Sequence, residues 1–216
     1  ISGDSTLTEA FRAGQDIHRR TAAEIFGVAL EDVTDSQRQA AKAVNFGLVY
    51  GQTDFGLAKS LGIARKEAAS YIDAYFHRYP GVKEYMDNIV AQARKDGYVT
   101  TLFNRRRYLP EIGSRNFQRR SFAERTAINT PIQGTAADII KLAMVEVDKH
   151  LEAEGLVSRM LLQVHDELVL ETTSEELKRV AKLVITAMEK IVQLNVPLIV
   201  DVKTGSNWYN MESIKD

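Results

Sequence analysis

Residues 36–50 read SQRQAAKAVNFGLVY, from Ser36 to Tyr50. Asp35 or Ser36 can cap a helix here, and Gly51 stops it. Arg38, Lys42, Phe46 and Tyr50 recur every four residues within it. At about 100° per residue the set drifts by only about 120°, so the four side chains share one face. Ala40, Ala41, Val44, Gly47 and Leu48 occupy the opposite face, which is small and apolar and suited to packing on protein.

Outward from this helix, the N-terminal half reads as more helices. Asp4 or Ser5, Asp16 and Asp54 cap short ones that end near Gly14, Gly27 and Gly62. Longer ones are expected over 64–79, stopping before Pro80, and over 81–95, stopping before Gly97. The C-terminal half is mixed. Short strands are expected at 98–102 and 107–109, around a basic turn. A helix over 117–132 is strained near its end by Pro131, and a second runs over 136–154. Apolar runs 160–164 and 168–170 flank His165-Asp166-Glu167, the pattern of a β-hairpin with a charged tip. A helix over 175–193 and a strand over 198–202 complete the reading, with the leucines and valines from Leu177 to Val192 as the helix's core face. The simplest architecture is α+β, a helical half followed by an antiparallel half.

Composition narrows the class. The chain has 216 residues, net charge −1, 44% hydrophobic and 26% charged residues, which excludes a disordered tail and a uniformly basic binding arm. No apolar run approaches ~18 residues, so no membrane span or membrane partner is expected. With no Cys there is no disulfide framework or thiolate chemistry, which suits a cytoplasmic setting. The chain starts at Ile1 without a signal peptide, and is expected to be a piece of a longer protein. Its near-neutral total hides a local imbalance. From Arg94 to Arg125 there are nine basic residues against Asp96, Glu111 and Glu124. Such a stripe suits a confined polyanion site and equally a solvated charged surface.

The face of the 36–50 helix suits one kind of ligand. Arg38 and Lys42 stand about 6 Å apart along the axis, with Phe46 about 6 Å further. Arg as a fork and Lys as a point charge can hold a polyphosphate, and an aromatic one turn on can meet a sugar or base. The spacing equally fits an amphipathic helix with solvated charges and two core aromatics. His77 and His150 read as surface helix positions, and Trp208 and Tyr209 as packing anchors.

Arg38-x-x-x-Lys42-x-x-x-Phe46-Gly47-x-x-Tyr50-Gly51 resembles the finger-helix motif of the family A DNA polymerases, with six fixed positions in fourteen. Asp16-Ile17-His18 precedes it as in that family. Arg125, Asn129 and Gln133 stand in ERTAINTPIQGTAADII, and residues 163–167 read QVHDE. The resemblance runs from end to end and points to the C-terminal part of a bacterial family member. It implies a mainly helical fingers subdomain over 1–113, then part of an antiparallel-sheet palm with packed helices over 114–216.

The resemblance also implies roles. Arg38, Lys42 and His18 would hold the triphosphate of an incoming dNTP, with Lys42 counted among the catalytic groups. Phe46 would pack near the sugar, and Tyr50 against the template base or nascent pair. Asp166 would be a catalytic magnesium ligand, Glu167 a secondary acid beside it, and His165 a neighbour of the primer terminus. Mg²⁺ would act in a two-metal reaction, adding dNMP to a primer 3′-hydroxyl and releasing pyrophosphate. Arg125, Asn129 and Gln133 suit minor-groove acceptors, which are similar in every base pair. Arg119 and Arg120, with Arg105, Arg106, Arg107 and Arg115, would add phosphate contacts to a primer–template.

In the family the other catalytic aspartate lies shortly before the segment matching Ile1. The chain alone is therefore expected to be inactive and to need the preceding N-terminal part as a partner. A nucleoid-associated place in DNA replication and repair is implied as well. A single-subunit RNA polymerase and a non-catalytic nucleotide- or nucleic-acid-binding module are the alternatives. Asn45-Phe46-Gly47 and QVHDE favour the DNA enzyme over the RNA one.

Overall fold

In a computed structural model, which describes residues 1–214, side-chain caps set where several of the helices begin. Asp4 accepts from Leu7 N at the start of α1 (Ser5–Arg12), and Asp16 from Arg19 N at the start of α2 (Ile17–Phe26). Thr34 and Gln37 form a reciprocal capping box on α3 (Asp35–Val49), so the cap lies one residue earlier than the sequence suggests. Thr53 caps α4 (Asp54–Leu61). Gly27, Gly62 and Gly97 end α2, α4 and the later helix Pro80–Asp96 in left-handed conformation. Following α5 (Arg65–Arg78), Pro80 opens α6 (Pro80–Asp96), where its missing N–H costs nothing. A 3-10 turn at Leu30–Asp32 joins α2 to α3 and had no sequence signal.

The first compact unit comprises Ile1–Thr135. Its main core packs Val44 and Leu48 of α3 on Leu57, Ala68, Tyr75, Tyr79 and Val82. A smaller cluster of Ala22, Val33 and Ala41, the two alanines wholly buried, lets α2 and α3 approach closely. Asp4 serves two elements, since its second carboxylate oxygen accepts from Gly81 N at 2.9 Å. Strands β1 (Tyr98–Thr100) and β2 (Arg106–Tyr108) pair antiparallel, and Val99 and Leu109 join Ala93, Ala123 and Ala127 in a third cluster.

The structure corrects the reading around Pro131. Instead of two helices there is one, α7 (Phe117–Ala153), started by Asn116, whose Oδ1 accepts from Gln118 N and Arg119 N. Threonine hydroxyls serve the local carbonyls: Thr130 donates to Thr126 O at 2.7 Å and Thr135 to Pro131 O. Leu102 N donates to Thr135 Oγ1 at 3.0 Å, so the β1–β2 loop sits against the helix here. Gly134 makes room for it, as an added Cβ would stand 2.6 Å from Thr101 Cγ2.

The second unit, Ala136–Asp216, shares α7 with the first, the division falling within that helix. In this unit β3 (Arg159–Val164) and β4 (Glu167–Glu171) form a hairpin, and Leu168 and Leu170 pack on Val147, Leu151, Val180, Leu183 and Val184. The four residues Val180, Leu183, Val184 and Ala187 are the buried face of α8 (Leu177–Lys190). Residues 198–202 are not a strand. Val200 N donates to the Glu189 side chain, and among the described residues only Val202 O of this segment bonds another backbone group, Ile214 N, which is too little for a ladder. The pairing falls later, between β5 (Lys203–Thr204) and β6 (Glu212–Ser213). Trp208 and Tyr209 are 49% and 94% exposed and anchor no core. No helix among the described residues is long and apolar enough to cross a membrane.

Candidate nucleotide and nucleic-acid site

The face expected of α3 exists. Ala41, Val44, Gly47 and Leu48 are buried, while Lys42, Phe46 and Tyr50 are exposed and Arg38 is half-buried. The rings of Phe46 and Tyr50 lie stacked, with centroids 6.3 Å apart and 20° between planes. Lys42 Nζ stands 6.0 Å from the Phe46 centroid. Along one exposed face a fork, a point charge and two aromatic rings follow at one-turn steps.

The close α2–α3 contact adds residues that α3 lacks. Asp16 caps α2 and also accepts from Arg38 Nε at 2.7 Å. That bond holds the guanidinium by one edge and leaves its two Nη groups for a ligand. Burial opposes the Asp16 charge, but the Arg38 hydrogen bond and the Arg19 backbone N–H outweigh it, and the carboxyl is held below its ordinary value. His18 lies in the first turn of α2, its ring 5.6 Å from that of Phe46 and its Nδ1 2.9 Å from Asn45 Nδ2. Burial, then the positive charges of Arg38 and Lys42, lower its pKa against the opposing pull of Asp16. The balance favours the neutral imidazole over the imidazolium. The Asp16–Arg38 and His18–Asn45 pairs were missed in the sequence, where nothing links positions 22 and 27 residues apart.

Downstream of α3 the chain turns at Gly51, with φ of 70°, and packs on Arg125. Gln52 is seated between Gly47 and Gly56, both of whose missing Cβ atoms would meet it. A cavity of about 750 Å³ opens beside this corner, lined among others by Gly51, Gln52, Asp73, Arg94 and Arg125. Along α7, Arg125 donates to Ser121 Oγ at 2.9 Å. Asn129 has a buried Oδ1 without a hydrogen-bond partner, and Gln133 is exposed. Because α7 does not break at Pro131, the three positions share a face at four-residue spacing.

The basic stripe is partly spent within the protein. Arg94 pairs with Glu124 at 2.6 Å, and Arg119 stands 3.6 Å from Glu111. Arg120 donates to Ser114 O at 2.8 Å and lies over the Phe117 ring. Arg106 stacks on Tyr98, 4.7 Å from its centroid. Arg107 and Arg115 remain exposed without an ion pair among the described residues.

The second unit carries the acidic tip. His165 and Asp166 are the two turn residues between Val164 and Glu167, a registered pair of β3 and β4. His165 has φ of 53°, a left-handed conformation uncommon for a residue with a side chain. The Gln163 side chain donates to the His165 carbonyl and braces the turn. Asp166 and Glu167 are exposed, and among the described residues neither carboxylate makes a hydrogen bond or ion pair. No group of three or more His, Cys, Asp or Glu among the described residues is placed to hold a metal.

The described residues thus present a cation–aromatic helix face in one unit and an exposed carboxylate turn in the other. The chain belongs to DNA polymerase family A, whose model matches residues 1–210. It is 60% identical over 210 residues to DNA polymerase I of Geobacillus stearothermophilus, covering 97% of this chain and 24% of the relative. DNA polymerase I of Pseudomonas aeruginosa is 56% identical over 208 residues, covering 96% and 23%. Among solved structures, the POL domain of Pol1 from M. smegmatis in complex with DNA primer-template and dNTP matches with TM-score 0.88 and 47% identity, over 92% of this chain and 35% of that one. The chain thus spans about a quarter of the length of these curated relatives.

Proposed function

We propose that this chain is the fingers and the later palm of a DNA-directed DNA polymerase, with residues 1–113 as fingers, and that α3 receives the incoming dNTP. The observation that carries this is the exposed Arg38–Lys42–Phe46–Tyr50 face with His18 beside it. The similarity to a polymerase domain in complex with primer-template and dNTP supports it.

Each residue then has a physical task. Arg38, held by Asp16, offers two Nη groups as a fork to phosphate oxygens. Lys42 adds an unpaired point charge that grows more favourable as negative charge develops on the leaving pyrophosphate. His18, neutral, donates a hydrogen bond without adding charge. Phe46 and Tyr50 supply apolar faces for sugar and base, and Arg125, Asn129 and Gln133 donors for the minor groove of the new duplex. Arg119, Arg120 and the exposed Arg107 and Arg115 contribute attraction to the duplex phosphates.

Asp166 fits magnesium by its chemistry, since its hard oxygen donors are exposed and uncommitted, with Glu167 adjacent. Bound there, the ion would supply charge neutralisation and activation of the primer 3′-hydroxyl. His165 is adjacent in the same braced turn and is assigned to the primer terminus. One carboxylate pair does not make a two-metal site, so the chain by itself is proposed to be inactive and to act with preceding polymerase residues in the bacterial cytoplasm.

Primer extension with Mg²⁺ and four dNTPs tests this. The chain is assayed alone and fused to the preceding residues of the Geobacillus stearothermophilus relative. Extension by the fusion only is the expected result. Extension by the chain alone overturns the claim that its carboxylates are insufficient. A folded fusion that binds DNA but never extends it overturns the polymerase reading.

A further inference from the structure

Asn45 is an odd residue for its place. It sits on the packing face of α3 between Val44 and Phe46, only 7% exposed, where an apolar side chain would cost nothing. Its Nδ2 lies 2.9 Å from His18 Nδ1, while its Oδ1 is buried without any hydrogen-bond partner. A buried polar atom left unpaired is expensive, so a residue kept at that expense has something to hold.

The chemistry of the pair selects one imidazole form. An amide N–H can only donate, so His18 Nδ1 must be the bare, accepting nitrogen and the ring proton must sit on Nε2. Reversing the amide would turn Oδ1 toward the ring and require Nδ1–H. It would also bury an NH2 group where no acceptor stands, leaving two donors unsatisfied instead of one acceptor. The observed orientation is the less costly of the two. The charges around the ring agree: Arg38 and Lys42 from α3 oppose a second proton, and Asp16 from α2 is engaged with Arg38.

We propose that Asn45 is a positioning residue: through its amide it locks His18 as a neutral imidazole protonated on Nε2, a ready hydrogen-bond donor to nucleotide phosphate. Such a donor adds specificity without adding charge. It rests on the reading of α3 as the dNTP site only for what His18 serves, since the tautomer lock stands on the geometry alone.

Nitrogen-15 NMR of the imidazole rings in the 216-residue chain reads the lock directly, with His18 assigned from the signals lost in His18→Gln. At neutral pH, His18 should show an unprotonated Nδ1 and a protonated Nε2. Asn45→Asp, close in shape but able only to accept, should move the proton to Nδ1. Asn45→Leu should abolish the fixed preference. A wild-type ring protonated on Nδ1 overturns the proposal, and this arm needs no variant to fold. An unchanged ring in a folded Asn45→Asp chain overturns it too. Steady-state dNTP kinetics of the active fusion separate the functional part: Asn45→Asp should raise KM for dNTP roughly tenfold with kcat little changed. A locked tautomer without any change in KM would leave the lock intact and overturn the role at the phosphate.

Discussion

Gly51 and Arg125 meet at the foot of α3: with φ of 70° at the glycine, an added Cβ would stand 2.8 Å from Arg125 Cγ. The end of α3 is thereby seated on α7, one helical turn before Asn129. Gly51→Ala should destabilise the chain by about 1–2 kcal/mol, combining the left-handed backbone with the clash. In an Arg125→Ala background the same change should cost less, because only the backbone part remains. Urea unfolding of the four chains measures this coupling, and equal costs in both backgrounds would refute it.

Asp16 joins the start of α2 to Arg38. Asp16→Ala removes both the cap and the ion pair and should cost about 1 kcal/mol, most of it from the cap, since the partly exposed pair is screened by solvent. Asp16→Asn keeps a capping oxygen but removes the charge.

The same residue sets a pH dependence. The folded-state pKa of Asp16 is lowered, so the folded chain binds fewer protons here than the unfolded chain. Its contribution is fully present above the ordinary value of 3.8 and is lost as pH falls through the lower folded value. The stability difference between wild type and Asp16→Asn should be constant at neutral pH and shrink in acid. Unfolding curves between about pH 7 and pH 3 check the sign.

His165 holds a backbone conformation that favours glycine. His165→Gly should stabilise the β3–β4 turn by about 0.5–1 kcal/mol, seen as a higher unfolding midpoint. In the active fusion the same change should slow extension, because the side chain assigned to the primer terminus is gone. A variant both less stable and fully active would contradict both parts.

Charge contacts should separate by assay. Lys42→Ala in the fusion should raise KM for dNTP by tenfold or more while leaving DNA affinity nearly unchanged. Arg119→Ala should weaken DNA binding with little effect on KM, and reduce the salt slope of binding by about 1. DNA titrations at several salt concentrations distinguish the two.

Local chemistry made much of this protein legible. Apolar spacing and the capping residues located α1 to α6 within a residue or two, because these helices are set by caps, Gly stops and Pro80. The face of α3 followed from a four-residue period alone, and the hairpin of 165–166 from two apolar runs around a charged pair. What the sequence could not decide depended on neighbours. Pro131 marks a break in any isolated helix, yet α7 runs on through it, with the β1–β2 loop seated against Thr135 by the Leu102 N–H. Residues 198–202 read as a strand, yet among the described residues only the Val202 carbonyl meets another backbone, at Ile214 N, and Val200 N turns to Glu189 instead. Asp16 reaching Arg38 and Asn45 reaching His18 arise only when two alanine-lined helices pack closely. Periodicity is a property of one segment, whereas hydrogen-bond partners and charge environments belong to pairs of segments, and only the tertiary structure brings those pairs together.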